Sequence, residues 1–135
     1  MPNWCRNQIV VRGDTEDIAK SVNCKFSFEV LRPCPLTEEE KEEVVKEYLW
    51  EVPRWNKWNG DNWGAKWDVN QEEVEIEHWA DGSVFFKFDS AWSAPCELLR
   101  YVTEQMLSLT IKHRYFDEGC DMFGKCIYKG GVANY

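Results

Sequence analysis

Four of the eight tryptophans in this 135-residue chain crowd into WNKWNGDNWGAKWD, residues 55–68. Interleaved Asn, Asp, Lys and Gly make the segment too polar for ordinary core. Two chemistries fit such a cluster. One is a stacking surface for a flat ligand. The other is a wall that pins a loop onto a sheet, each indole N–H bonded to a carbonyl. Trp63 and Trp67 stand four residues apart, and in an extended NWGAKWD both would point the same way. Trp4 lies just before the first expected strand, and Trp92 falls in a turn before a helix. Lys66 or Arg6 could hold a phosphate beside a base stacked on these rings, a contact worth about 1–3 kcal/mol per base.

Carboxylates form the second set. Asp68, Asp89, Glu118 and Asp121 each follow an expected strand or sit in a distinctive segment. Converged, they could bind a cation or a polar ligand; alone, Asp89 reads as an acceptor for backbone amides near the Ser90-to-Ser93 turn. The candidate ligand-binding residues are therefore Trp4, Arg6, Trp63, Lys66, Trp67, Asp89, Trp92 and Glu118.

Motifs for catalysis are missing. NGDNWG lacks the Lys-Ser/Thr of a phosphate loop, and neither HExxH nor GxSxG occurs. His78 and His113 read as ordinary strand residues. The spacing of His113, Asp117 and Cys120 suits ligands on a helix, but the segment alternates like a strand. Cys96 falls in a helix first turn, where the dipole could lower its pKa; with no base nearby in sequence, a packed thiol is the simpler reading. No catalytic residue, metal site or cofactor is assigned.

The formal charge of −8, from 16 Lys and Arg against 24 Asp and Glu, opposes duplex binding, which needs clustered cations to release phosphate counterions. Much of the acid lies in TEEEKEEVVKE (37–47) and QEEVEIE (71–77), read as a solvated helix face and a half-exposed strand. The six cysteines show no CxxC, and free thiols are expected. No run is apolar enough to span a bilayer, and the opening residues lack a signal-peptide layout. A cytoplasmic protein with no membrane association is the expectation.

The elements that must carry these residues can be read in order. NQIVVRG (7–13) alternates as a strand, with Ile9 and Val11 on one face. Asp14 is placed to cap a short helix with Ile18, Ala19 and Val22 inward. KFSFEVLRP (25–33) looks extended, with Phe26, Phe28 and Val30 on one face. Thr37 and Glu40 form a capping box. The helix it opens is expected to turn Val44, Val45, Tyr48 and Leu49 inward and to stop at Pro53. The Trp-rich loop follows. Residues 74–79 and 83–90 flank Ala80-Asp81-Gly82 as a hairpin. Ser93 is placed to cap a helix with Leu98, Leu99, Val102 and Met106 inward. Residues 109–115 and 122–128 are further strands, the last a candidate sheet edge.

Without an insertion at about 24–72, the order is βαββαβ, the split βαβ plan. The fold class is α+β, one domain over 1–135: an antiparallel sheet with helices on one face, an extra C-terminal strand, and a Trp-rich insertion containing one helix. The insertion is expected at a sheet edge or on the open face.

MPNWCRNQIVVRGD, FSFEVLRPCP, NWGAKWD, FKFDSAWSAP and YFDEGCDMFGK occur in this order along nearly the whole chain. Together they resemble the YubB-like ferredoxin-fold proteins, the Api-type family of bacteriophages, plasmids and integrated elements. The resemblance implies a ferredoxin-like domain without an iron–sulfur cluster and a mobile-element origin. It implies no activity.

The functional expectation is a non-enzymatic accessory protein that binds a host protein or a small ligand, with a possible counter-defence role. The alternative is a nucleotide-sequestering or single-stranded nucleic-acid-binding module using the Trp cluster. Against it, the chain lacks a strand with the basic and aromatic positions of an RNA-recognition motif. A small metal-dependent hydrolase is the least favoured. Monomer and homodimer both remain open.

Overall fold

The computed structural model describes residues 3–119 and 121–135. Cys120, and with it the His113–Asp117–Cys120 spacing, lies outside the described residues. In chain order the elements are β1 (Trp4–Arg12), α1 (Thr15–Asn23), α2 (Phe28–Leu31), α3 (Glu38–Lys41), β2 (Val44–Glu47), β3 (Trp50–Pro53) and α4 (Arg54–Asn62). A 3₁₀ turn at Gln71–Glu73 follows, then β4 (Glu75–His78), β5 (Val84–Ala91), α5 (Cys96–Gln105), β6 (Thr110–Asp117), β7 (Met122–Lys129) and β8 (Val132–Asn134).

Six strands form one antiparallel sheet in the order β4-β5-β1-β6-β7-β8. Its first four members with α1 and α5 are the expected βαββαβ unit. The C-terminal extension differs from expectation. Gly130 and Gly131 both take positive φ, 59° and 81°, so the chain turns back in two residues and β8 pairs with β7. The edge is therefore the three-residue β8, and β7 is interior.

Alternation along β1 buries Cys5, Asn7, Ile9 and Val11 and exposes Trp4, Arg6, Gln8 and Arg12. The strand starts at Trp4, so Trp4 and Arg6 lie within it, earlier than the expected start at residue 7. Asp14 holds the N-cap position of α1, but its side chain makes no capping bond; its backbone N–H donates to Ser108 Oγ at 3.1 Å. Pro95, not Ser93, precedes α5, and the Ser93 hydroxyl donates to the Gly64 carbonyl instead.

The insertion departs most from expectation. Lys25 and Phe26 take left-handed φ of 49° and 57°, so the chain kinks after α1 where an extended segment was expected. The kink delivers Phe26 onto the sheet, 5.1 Å from the Phe86 ring and 5.8 Å from Phe88. Ser27 then caps α2, accepting from the Val30 N–H. The capping box at Thr37 forms as expected, but α3 lasts one turn. Val44, Val45, Tyr48 and Leu49 belong to the β2–β3 hairpin, whose tip leaves Tyr48, Leu49 and Trp50 exposed at 94%, 93% and 72%. The Trp-rich segment expected as a loop begins as α4.

The insertion sends its buried residues to the helix-covered side, while its Trp67 meets the outward Trp4 of β1. Phe26, Phe28 and Trp63 join Ile9, Phe86, Phe88, Leu98 and Leu99 in the core on the helix-covered side. Burying each large side chain there contributes about 1.5–3 kcal/mol.

Candidate functional site

Trp63 and Trp67 do not share a face. α4 ends at Trp63, and Gly64, at φ 83°, reverses the chain. Trp63 is buried 5.8 Å from the Phe28 ring and 5.5 Å from Trp58, and its indole N–H donates to the Arg32 carbonyl at 3.0 Å. It is a core residue and leaves the candidate site.

Trp67 emerges at the surface with Trp4. Their ring centroids stand 6.2 Å apart, edge to face. Backbone bonds hold both approaches: the Lys66 N–H donates to the Ala91 carbonyl at 3.1 Å, and the Trp92 N–H to Asn3 at 2.8 Å. The Lys66 ammonium lies 5.5 Å from the Trp67 ring and 5.1 Å from Trp92. An exposed cation–π contact of this kind contributes about 0.5–1 kcal/mol. Lys66 thus bridges two rings at the surface, and Trp4, Lys66, Trp67 and Trp92 form one aromatic ladder.

Below the ladder runs a groove of about 430 Å³ lined by Trp4, Trp67, Asp68, Val69, Asn70, Glu73, Phe88 and Asp89. It continues into a smaller hollow lined by Arg6, Glu73, Glu75, Lys87, Phe88 and Asp89. Arg6 is held by Glu118 at 2.8 Å, and Lys87 by Glu75 at 3.7 Å. Neither Glu73 nor Asp89 forms an ion pair with a described residue. The groove combines two indole walls with two unpaired carboxylates, which is the chemistry of cation recognition.

Asp68 has a structural task. It accepts from the Phe28 N–H at 2.7 Å, the Ser27 hydroxyl at 2.8 Å, the Glu29 N–H at 3.2 Å and the Val69 N–H at 2.7 Å. Asp89 accepts no side-chain hydrogen bond from the described residues, contrary to the turn-capping reading. Ser90 takes that part, donating to the Ser93 carbonyl at 2.7 Å. Of the carboxylates singled out in sequence, Asp68 and Asp89 line one groove, but among the described residues no three His, Cys, Asp or Glu side chains group so as to hold a metal ion.

His113 lies in a buried polar string. Asn7 Nδ2 donates to the Cys5 and Phe88 carbonyls and to Ser90 Oγ, which leaves Asn7 Oδ1 as an acceptor. The His113 Nε2–H therefore donates to Oδ1 at 2.8 Å, and Nδ1 faces the Tyr128 hydroxyl at 3.4 Å. Burial pulls the imidazole pKa down to about 4. The string satisfies polar groups inside the core, where Asn7 and His113 are buried. Burial likewise pushes the Cys96 thiol up, against the lowering that a helix first turn could bring.

Sequence reading found the aromatic members and Asp89 but missed Glu73 and Asn70. Glu73 lies where a half-exposed strand was expected and Asn70 just before it; instead Asn70 accepts the Glu72 N–H and opens the 3₁₀ turn. An Asn before a run of acids is the cap signal that could have placed the turn.

The sheet and its helices define a ferredoxin-like domain elaborated by an insertion. A family model described as the ferredoxin-like domain in Api92-like protein matches residues 62–134, and the chain belongs to that family. Among solved structures, the crystal structure of protein api92 from Yersinia pseudotuberculosis is similar, with a TM-score of 0.52 at 20% identity. The match covers 62% of this chain and 30% of that one, and it shows a shared fold. No curated protein matches significantly. No helix among the described residues is long and apolar enough to cross a membrane.

Proposed function

We propose that the chain is a non-enzymatic accessory protein of a bacteriophage, plasmid or integrated element, and that it binds a basic segment of a host protein. The observation that carries this reading is the Trp4–Trp67 groove with its unpaired Glu73 and Asp89. A Lys or Arg side chain gains a cation–π face and a carboxylate in the same place. The acids repel a phosphate, which favours a protein partner over a nucleotide. The exposed Tyr48 and Trp50 at the hairpin tip supply residue types that anchor protein interfaces. The resemblance to Api-type proteins of mobile elements supports the origin.

The test is tryptophan fluorescence of the full chain titrated with an oligoarginine peptide and, separately, with AMP. Saturable quenching by the peptide and a flat response to AMP are expected. The reverse ranking favours the nucleotide reading and contradicts this one.

A further inference from the structure

The open face of the sheet is charged as the whole chain is not. Outward positions of β1, β6 and β7 carry Arg6, Arg12, Lys112, Arg114, Lys125 and Lys129, and no Asp or Glu. The outward acids within the strands, Glu75, Glu77 and Asp89, lie on β4 and β5, and Glu118 and Asp81 reach the face from loops. Arg6 and Arg12 are paired with Glu118 and Asp81, at 2.8 and 3.5 Å. Lys112, Arg114, Lys125 and Lys129 form no ion pair with a described residue.

Arg114 stands directly opposite Lys125 across β6 and β7. Like charges in that relation destabilise a sheet, so their juxtaposition favours an anion above them. In the next outward row Phe116 stands opposite Phe123, and Phe123 is 82% exposed. These four residues, with Arg6 and Gln8, border a shallow hollow of about 630 Å³.

We propose that this face binds single-stranded nucleic acid, with phosphates on Lys112, Arg114 and Lys125 and an unstacked base on the Phe116–Phe123 row. A repeating anion meets the unpaired cations, and a free base face meets the exposed ring. A duplex offers the phosphates but keeps its base faces stacked. The surface meets the continuation of the Trp4–Trp67 groove at Arg6 alone, and that groove takes a partner of opposite charge, so either can fail without the other.

The test is fluorescence anisotropy of a labelled oligothymidylate titrated with the full chain. Binding is expected at about 50 mM salt, with log K falling against log salt at a slope of about −2, from three phosphate contacts at about 0.7 each. Phe123→Ala weakens binding at least about fivefold, the lower limit for one stacked base. Arg114→Glu weakens it at least about tenfold. Lys46→Glu makes the same charge change on the exposed insertion hairpin and alters affinity less than about twofold. A duplex of equal length binds more weakly. No binding at low salt overturns the proposal, and so does equal weakening by Lys46→Glu, which would reduce the effect to net charge. A salt-sensitive dimer lost in Arg114→Glu, without oligonucleotide binding, also overturns it and assigns the face to a second copy of the chain.

Discussion

The backbone N–H of Phe28 donates to Oδ1 of Asp68 at 2.7 Å, joining positions 40 residues apart. The bond ties the start of the insertion to its end. Three further donors reach the same carboxylate, so one side chain closes the segment that carries the tryptophans. Asp68→Ala leaves those donors without their acceptor and is expected to cost about 2–3 kcal/mol, since a single hydrogen bond to a charged group is worth about 1.5–3 and water replaces part of the set. Urea unfolding checks it. An unchanged midpoint would mean that the insertion is held elsewhere.

The two tryptophans of NWGAKWD should behave differently. Trp63→Ala opens a cavity beside Phe28 and Trp58 and is expected to cost about 3–5 kcal/mol. Trp67→Ala removes a surface ring and a cation–π contact, a loss of about 1 kcal/mol. Thermal unfolding of the two variants decides: similar losses would contradict the division into one core ring and one groove ring.

That division marks the limit of what the sequence shows. The sheet was legible because β1, β5 and β6 alternate over most of their length, and α5 because Leu98, Leu99 and Val102 recur at helical spacing. The insertion was not legible. Left-handed Lys25 and Phe26 carry no glycine signal, and Val44–Leu49 satisfies a helical stripe as well as it does a hairpin. The split of Trp63 from Trp67 depends on the end of α4 and the reversal at Gly64, which spacing alone does not reveal. Glu73 and Asp89 meet only through tertiary structure.

The hairpin has its own test. Leu49→Ala at an exposed tip is expected to change stability by less than about 0.5 kcal/mol. On the inward face of a helix it would cost about 2–5 kcal/mol. A loss in that higher range would restore the helical reading.

His113 gives a pH dependence of known sign. Its folded-state pKa of about 4 lies below its ordinary 6.5, so between these values protons favour the unfolded chain. The contribution is full above about pH 6.5 and is lost as pH falls towards 4, a total of about 3 kcal/mol. His113→Gln is expected to lower stability at neutral pH and to flatten the slope in that window, read as the difference between the two proteins' urea midpoints at each pH. Parallel slopes would mean that His113 does not titrate as a buried neutral side chain.

In the proposed reading the Trp4–Trp67 groove recognises a cation through Glu73 and Asp89. Calorimetric titration of an oligoarginine peptide into the native chain and into Glu73→Gln/Asp89→Asn tests it most directly. The double variant is expected to bind at least about tenfold more weakly, about 1.4 kcal/mol. Glu38→Gln/Glu39→Gln, the same charge change on α3 outside the groove, should shift the affinity by less than about twofold. Equal weakening in both double variants would reduce the binding to overall acidity and contradict the groove as a site.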